Sequence, residues 1–158
     1  MRYPVISFLL AALAWPAHAA PEHGSEAEAQ DMVRRAQNLI KAIGPERAYK
    51  VFTDNPGADF RDRDLYVFVY DFSGNMLAQG MNSKLVGKNL MELRDADGNL
   101  VAKGLIDMVK EKHKGWYGPY RWSVPGTKEY AIKKSYCERG EGDTLICVGV
   151  YSELVKHQ

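Results

Sequence analysis

Apolar positions near the amino terminus recur at helical spacing. The stripe of three- and four-residue steps comprises Met32, Ala36, Leu39, Ile40 and Ile43. Ser25, with Glu28 three residues later, matches a capping box, and Gly44-Pro45 is a stop signal. The pattern predicts a long helix over residues 25–43 that packs flat, followed by a short helical piece over residues 46–52.

The next apolar segment, residues 64–70, alternates with a period of two and predicts a strand. Its two faces carry Leu65, Val67 and Val69 on one side and Tyr66, Phe68 and Tyr70 on the other. Because neither face is polar, we expect this strand to be covered on both sides.

The remaining pattern predicts a turn at residues 71–75, a strand at 76–81, a turn at 95–98 and a helix at 100–112. Three strands with turn signals between them follow over residues 115–151. This order predicts an α+β fold with a five-stranded antiparallel sheet. The long amino-terminal helix covers one face, and the shorter helix and loops cover the other, which is the only side able to enclose a ligand.

The first 19 residues have the features of a secretory signal peptide. Arg2 precedes an apolar run from Val5 to Trp15, and Ala17-His18-Ala19 has the small-x-small pattern of a cleavage site. The run is too short to cross a bilayer comfortably. We therefore expect a single mature domain over residues 20–158 in a bacterial periplasm.

Charge and the remaining hydropathy narrow the class of partner. The chain has 21 Lys and Arg and 20 Asp and Glu, so loss of Arg2 with the leader leaves a net charge of zero. A neutral balance argues against nucleic acid or an anionic membrane surface as partner. No later stretch is apolar enough to span a membrane, which predicts a soluble, exported protein.

Both cysteines fall on the last two predicted strands. Cys137 and Cys147 flank a turn signal around Gly142, and a hairpin centred there places them directly opposite each other. In an oxidising compartment this predicts a disulfide, worth roughly 2–3 kcal/mol for so short a loop. Two buried free thiols are the alternative, because opposed strand positions do not always allow disulfide geometry.

The three closing strands interleave aromatic and basic residues. Tyr120 and Trp122 are two apart, so on a strand they point to the same face. Rings beside a cation suit the wall of a pocket for a small anionic or polar ligand. The alternative is that these rings are core and the neighbouring lysines are solvated.

Five segments, in order, resemble the single Cache domain of the type 2 group, an extracytoplasmic PAS-like sensor fold. They read AQDMVRRAQNLIKAIGPERAYKVF, FRDRDLYVFVYDFSGNMLA, LVGKNLMELRDADGNLVAKGLI, YRWSVPGT with KKSY, and VGVY. The resemblance covers nearly all of the mature chain. It implies a domain that senses small molecules such as carboxylates or amino acids, as the outer part of chemoreceptors and sensor kinases does.

The chain departs from that family in two respects. No membrane span follows Tyr151, so we expect a soluble component that presents its ligand-bound form to a membrane receptor or sensor kinase. Relatives often carry His and Pro where this chain has Gln79 and Ser83. Gln79 cannot titrate near neutral pH, which weakens the case for a histidine-dependent ligand contact.

The resemblance also directs attention to individual ligand-binding residues. Lys133 and Tyr136 match the family's Lys-x-x-Tyr, and a turn over residues 125–128 places Tyr120 opposite Lys133. A lysine ammonium can receive a carboxylate while aromatic rings exclude water. The candidate ligand-binding residues are Tyr120, Trp122 and Lys133, then Tyr66 and Phe68, then Met81 and Asn82 as lid contacts. If the register of these two strands differs from the predicted one, Arg121 or Lys134 takes the place of Lys133 as the basic ligand contact.

Neither a metal nor a cofactor is expected. In the Asp95-Ala96-Asp97-Gly98 turn, positions nine and twelve of a calcium loop are Lys103 and Ile106, which are not ligands. The histidines are scattered, and no nucleophile has a local catalytic signature. Two alternatives to a sensor remain: a structural or interaction module whose pocket is filled by its own side chains, and an enzyme.

Overall fold

A computed structural model of the chain describes residues 23–155. The predicted signal peptide, residues 1–19, and the predicted mature start at Ala20 lie outside that range. No helix within it is both long enough and apolar enough to cross a membrane.

The helices form where the sequence pattern predicts them. Their bounds are α1 Glu26–Ile43, α2 Pro45–Asp54, α3 Gly57–Phe60 and α4 Val101–Lys112. The capping box is present, since the Ser25 side chain accepts from the Glu28 backbone and the Glu28 side chain from the Ser25 backbone. Two short helical segments within residues 23–155 were not predicted from the pattern: the four-residue α3 and a 3-10 helix at Ser83–Leu85.

Six antiparallel strands make up the sheet formed by residues 23–155. They are β1 Arg61–Asp62, β2 Leu65–Asp71, β3 Met76–Gln79, β4 Lys114–Ser123, β5 Tyr130–Arg139 and β6 Thr144–Leu154. The spatial order is β1-β2-β6-β5-β4, with β3 paired to β2. The predicted α+β class is confirmed; the two-residue β1 is an addition to the five predicted strands.

Each face of the sheet carries its own apolar cluster. Alternate residues of β2 separate as predicted: Leu65, Val67 and Val69 pack with α1, whereas Tyr66, Phe68 and Tyr70 pack with α4. Three residues of the predicted stripe on α1 join the first cluster: Met32, Ala36 and Ile40. The last residue of the stripe, Ile43, is 37% exposed because the chain turns at Gly44 directly after it. The α4 face is the one that encloses a cavity.

The register of the closing strands confirms two predictions. Tyr120 pairs with Lys133, and Cys137 pairs with Cys147, with which it forms a disulfide. Tyr117 pairs with Ser135, so β4 holds one more residue than β5 between these pairs. This bulge at Gly118 lets Tyr117 and Tyr120 share the α4 face despite their odd spacing.

Candidate ligand-binding cavity

Five of the predicted site residues line one cavity between the sheet and α4. Tyr66 and Phe68 come from β2, Tyr120 and Trp122 from β4, and Lys133 from β5. The wall is completed by Tyr70, Met76, Gln79, Val101 and Leu105. Residues from four strands and one helix therefore meet at a place that no single segment of the chain defines.

The Lys133 ammonium lies inside this cluster, with the residue only 2% exposed. Its Nζ donates to the Tyr66 hydroxyl at 2.7 Å and to the Tyr151 hydroxyl at 3.1 Å. It also lies 4.4 Å from the Tyr66 ring centroid and 4.6 Å from that of Tyr151. The Phe68 ring centroid is 5.5 Å away, so two hydroxyls and three π faces replace part of the water that the ammonium loses on burial.

Lys133 forms no ion pair with any carboxylate of residues 23–155. Burial of a charge without a counter-charge is costly, and hydroxyl dipoles return only part of that free energy. The arrangement is therefore complementary to an anion that supplies the missing negative charge.

Gly149 makes room for the lysine side chain. It pairs with Ser135 on the neighbouring strand, and a Cβ built on it would lie 2.0 Å from Cε and 2.9 Å from Nζ of Lys133. Lys133 therefore crosses β6 over a position that has no side chain, and this path brings Nζ to the tyrosines.

Hydrogen bonds and ring contacts hold the aromatic walls. The Tyr120 hydroxyl lies 2.6 Å from the Ser135 hydroxyl, and the Tyr120 and Trp122 rings meet edge to face with centroids 5.9 Å apart. The Tyr151 hydroxyl donates to the Ser123 carbonyl at 3.0 Å. These contacts fix ring orientation on β4 and β6.

The hydroxyls of Tyr70, Tyr120 and Tyr151 stay protonated. Burial raises the pKa of Tyr120 far above its usual range, and the hydrogen bond with Ser135 offsets only part of the rise. Burial, with a contribution from nearby Tyr66, likewise raises the pKa of Tyr151 and of Tyr70. At neutral pH these hydroxyls are therefore neutral hydrogen-bonding groups.

A turn before α4 anchors that helix to β4. The Asp95 carboxylate accepts backbone N–H bonds from Asp97, Asn99 and Arg121 at 2.7–3.2 Å. Burial raises the pKa of Asp95, but the hydrogen bonds, led by those from Asn99, outweigh it and leave the pKa below its usual value. The turn thereby positions Val101 and Leu105 over the cavity.

Two predicted lid residues do not line the cavity. Met81 is half-buried at the edge of the α4-face cluster, and Asn82 is exposed, its side chain accepting from the Lys84 backbone. The basic alternatives to Lys133 also lie elsewhere. Arg121 pairs with Asp97, and Lys134, on the α1 face, pairs with Glu26 and lies over the Trp116 ring.

Four residues that line the cavity or bond with its lining were not among the predicted ligand-binding residues: Tyr70, Gln79, Ser135 and Tyr151. Tyr151 had an available signal: extending the Cys137–Cys147 register by four residues places it opposite Lys133, as observed. The Lys-x-x-Tyr tyrosine, Tyr136, instead packs on the α1 face. The lysine is held by tyrosines from β2 and β6.

The cavity has a volume of about 20 Å³, which is room for roughly one water molecule. Larger clefts of about 520 and 610 Å³ lie beside α1, where the Lys134–Glu26 pair lines the first and Arg139 and Glu141 the second. Lys133 and Tyr151 also line the first cleft, and the other cations of the two clefts are solvated or already paired with carboxylates. The Lys133 Nζ, however, donates to the Tyr66 hydroxyl, which belongs to the smaller cavity. The buried ammonium, rather than the volume, identifies the smaller cavity as the candidate site.

Comparison with known proteins agrees with this architecture. A family model described as single Cache domain 2 matches residues 16–158. The chain belongs to this family. Cache domains are non-catalytic ligand-sensing modules of chemoreceptors and sensor kinases, and ligand sensing is therefore the general role of this domain.

Two curated relatives match part of the domain. The sensor histidine kinase MctS of Rhizobium johnstonii is 36% identical over 74 residues, 47% of this chain and 16% of the kinase. The methyl-accepting chemotaxis protein McpP of Pseudomonas putida is 31% identical over 77 residues, 49% of this chain and 14% of that protein. The matches thus span about a sixth or less of either relative.

Solved structures share the fold of the Cache domain. A methyl-accepting chemotaxis protein from Vibrio parahaemolyticus superposes with a TM-score of 0.65 at 24% identity, covering 80% of this chain and 87% of that one. A Cache chemosensory domain studied for carboxylic acid recognition gives 0.62 at 25% identity, covering 77% and 84%.

Proposed function

We propose that this Cache domain is an extracytoplasmic sensor that binds a small organic carboxylate, and that the Lys133 ammonium receives the carboxylate group. Tyr66, Phe68, Tyr120 and Trp122 are the proposed walls, with Met81 and Asn82 at the rim. The observation that carries the proposal is the buried ammonium whose contacts are hydroxyls and rings.

Location and partner are part of the same proposal. The leader-like sequence of residues 1–19 and the Cys137–Cys147 disulfide support export to a periplasm. The relatives are a sensor kinase and a chemotaxis protein. We expect the domain to act as a soluble component of a signalling system. In its ligand-bound form it would bind a membrane receptor or sensor kinase.

Thermal stability in the presence of a panel of short carboxylates and amino acids tests this function. A ligand at one hundred times its dissociation constant should stabilise the wild-type domain by about 2.7 kcal/mol. Lys133→Met should abolish that stabilisation, because the apolar side chain offers the carboxylate no charge. Lys134→Met is the matched control, since Lys134 pairs with Glu26 on the opposite face.

The outcome that would contradict the proposal is a panel in which no compound stabilises the wild type. Stabilisation that survives in Lys133→Met would place the ligand elsewhere.

The stability of the unliganded Lys133→Met variant is informative as well. Replacement of a buried, unpaired charge by an apolar group is often neutral or stabilising, so Lys133→Met should fold at least as stably as the wild type.

A second candidate function follows from the size of the cavity. Tyr66, Tyr120 and Trp122 leave about 20 Å³ between them, which favours a structural or interaction module with a self-filled pocket. For a ligand to bind, these side chains must move apart. The same panel separates the two candidates, because a self-filled module shows no stabilisation by any acid.

A further inference from the structure

The cavity is smaller than any carboxylic acid, so one of its walls must move before a ligand can enter. Its volume of about 20 Å³ is room for roughly one water molecule. Most of the wall lies on β2, β3, β4 and β5, which backbone hydrogen bonds hold together in one sheet. The rest of the wall, Val101 and Leu105, lies on α4. The helix is therefore the wall that can move without breaking the sheet.

Few polar interactions hold the amino-terminal end of α4 to the sheet. Among residues 23–155, one hydrogen bond and one ion pair join the segment 94–112 to a strand, and both involve Arg121 of β4. The Arg121 backbone N–H donates to the Asp95 carboxylate at 3.2 Å, and the Arg121 guanidinium pairs with the Asp97 carboxylate at 3.1 Å. The helix otherwise meets the strands through the apolar cluster on this face.

The turn that contains Asp95 does not need the bond from Arg121 in order to form. Asp71 begins a second turn of the same kind, since each aspartate has a glycine three residues later and an asparagine four residues later. In both turns the carboxylate accepts from two backbone N–H groups and from the asparagine side chain. Asp95 alone of the two accepts a further bond, from Arg121. That bond therefore holds the segment before α4 against β4.

The carboxyl-terminal end of α4 is held independently. The carbonyl of His113, the residue directly after the helix, accepts from the Arg139 N–H at 2.7 Å. Lys110 lies 5.2 Å from the centroid of the Phe72 ring. When the bonds to Arg121 break, this end stays in place, whereas the amino-terminal end can lift away from the sheet.

We infer that α4 and the turn before it form a lid over the cavity, and that the two interactions of Arg121 with Asp95 and Asp97 are the latch that keeps the lid closed. The inference rests on the proposed function in taking this cavity as the one that a ligand must enter. It adds the route of entry and the residues that control it. The Arg121 and Asp97 side chains are 42% and 46% exposed, so water can replace their pairing when the lid opens.

Labelling of a cysteine placed under the lid tests this role without any ligand. Val101→Cys puts a thiol on the α4 wall, and Val33→Cys puts a matched thiol on the buried side of α1; the two valines are 4% and 0% exposed. Both native cysteines form the disulfide, so iodoacetamide reacts with the introduced thiol alone. Val101→Cys should be labelled at least about tenfold faster than Val33→Cys, because local opening requires less free energy than global unfolding.

Substitutions in the latch should change that rate. Asp97→Asn should raise the labelling rate of Val101→Cys about two- to fivefold, as expected for the loss of an exposed ion pair. Asp97→Arg should raise it further, and the combination Asp97→Arg/Arg121→Asp should return it to within about twofold of the starting rate. Glu26→Gln is the matched control, because the Glu26–Lys134 pair joins the amino-terminal end of α1 to β5 on the opposite face. It should leave the rate unchanged.

The outcomes that overturn the lid differ from those that overturn the carboxylate site. Equal labelling of Val101→Cys and Val33→Cys would mean that α4 opens only when the whole domain unfolds. A rate that responds neither to Asp97→Asn nor to Asp97→Arg, or that rises as much with Glu26→Gln, would overturn the latch. The labelling contains no ligand, so these results are decisive whether or not any acid binds. Failure of every acid to stabilise the wild type counts against the carboxylate site alone.

Discussion

Lys133 is accommodated through contacts contributed by residues far apart in the sequence. Tyr66 precedes it by 67 residues and Tyr151 follows it by 18, and both hydroxyls accept from the same ammonium. Gly149 leaves the path across β6 open. An ammonium held by two hydroxyls and by ring faces has no carboxylate partner here and lies within reach of an anion in the cavity.

Gly149→Ala should disturb the lysine directly. The added methyl would lie 2.0 Å from Lys133 Cε, so the ammonium must leave its bonds with the tyrosines. We expect a loss of roughly 1–3 kcal/mol in the free energy of unfolding, as for other overpacked sites. Urea denaturation measures the loss, and carboxylate titration should show weaker binding.

A double-mutant cycle with Lys133→Ala identifies the cause. If the clash with the lysine is responsible, Gly149→Ala should cost clearly less in the Lys133→Ala background than in wild type. Equal costs in both backgrounds would instead assign the effect to the Ser135 hydroxyl, 2.8 Å from the same Cβ position.

At the scale of secondary-structure elements, the β5–β6 hairpin sets the geometry of the site. Its register pairs Cys137 with Cys147, Ser135 with Gly149 and Lys133 with Tyr151. All six residues lie at alternate positions and thus project to one face of the sheet. The disulfide at one end and the ammonium–tyrosine contact at the other belong to the same ladder.

Removal of the disulfide should weaken this hairpin without changing the fold. The two cysteines are 10 residues apart, a separation for which chain entropy predicts a loss of about 2–3 kcal/mol. The Cys137→Ala/Cys147→Ala double variant should show this loss in urea denaturation. Reductant should lower the stability of wild type and leave the double variant unchanged.

A reductant-insensitive wild type would contradict the stabilising role of the disulfide. Both cysteines are fully buried, so the reduction must be carried out on unfolded protein that is then refolded. Alanine is the appropriate replacement because serine would bury a hydroxyl at each position.

At the scale of the whole molecule, the sheet separates a packing face, covered by α1, from a proposed sensing face, covered by α4. The α1 face is a continuous apolar cluster, whereas the α4 face combines apolar residues with Lys133, tyrosine hydroxyls and Gln79. The two faces share β2, β5 and β6, so both contribute to stability. Only one of them should influence which ligand is bound.

A matched pair of leucine truncations tests this separation. Leu105, on α4, lines the cavity, and Leu65, on β2, packs on the α1 face; each is 1% exposed. Leu105→Ala and Leu65→Ala should each cost about 2–5 kcal/mol in urea denaturation. Leu105→Ala should also shift ligand preference toward longer carboxylates, because it enlarges the cavity.

Ligand titrations with acids of increasing chain length measure that shift. Leu65→Ala should keep the wild-type order of affinities despite its lower stability. A change of preference in Leu65→Ala, or none in Leu105→Ala, would contradict the assignment of sensing to the α4 face.

Local features of the sequence were sufficient to predict most of the fold. The capping box at Ser25, the alternation through β2 and the turn signals around Gly126 and Gly142 all act within a few residues. Short hairpin turns set register, and register placed Tyr120 opposite Lys133 and Cys137 opposite Cys147. Periodicity also separated the two faces of the sheet, since side-chain direction follows from strand geometry alone.

What surrounds Lys133 was decided only by the tertiary structure. Tyr66, Gln79 and Leu105 reach the cavity from β2, β3 and α4, and their meeting depends on the strand order and on how α4 packs over the sheet. The sequence therefore determined which residues point to the sensing face. Long-range packing decided which of them touch the ammonium, that Met81 and Asn82 lie outside the cavity wall, and that only about 20 Å³ remains open.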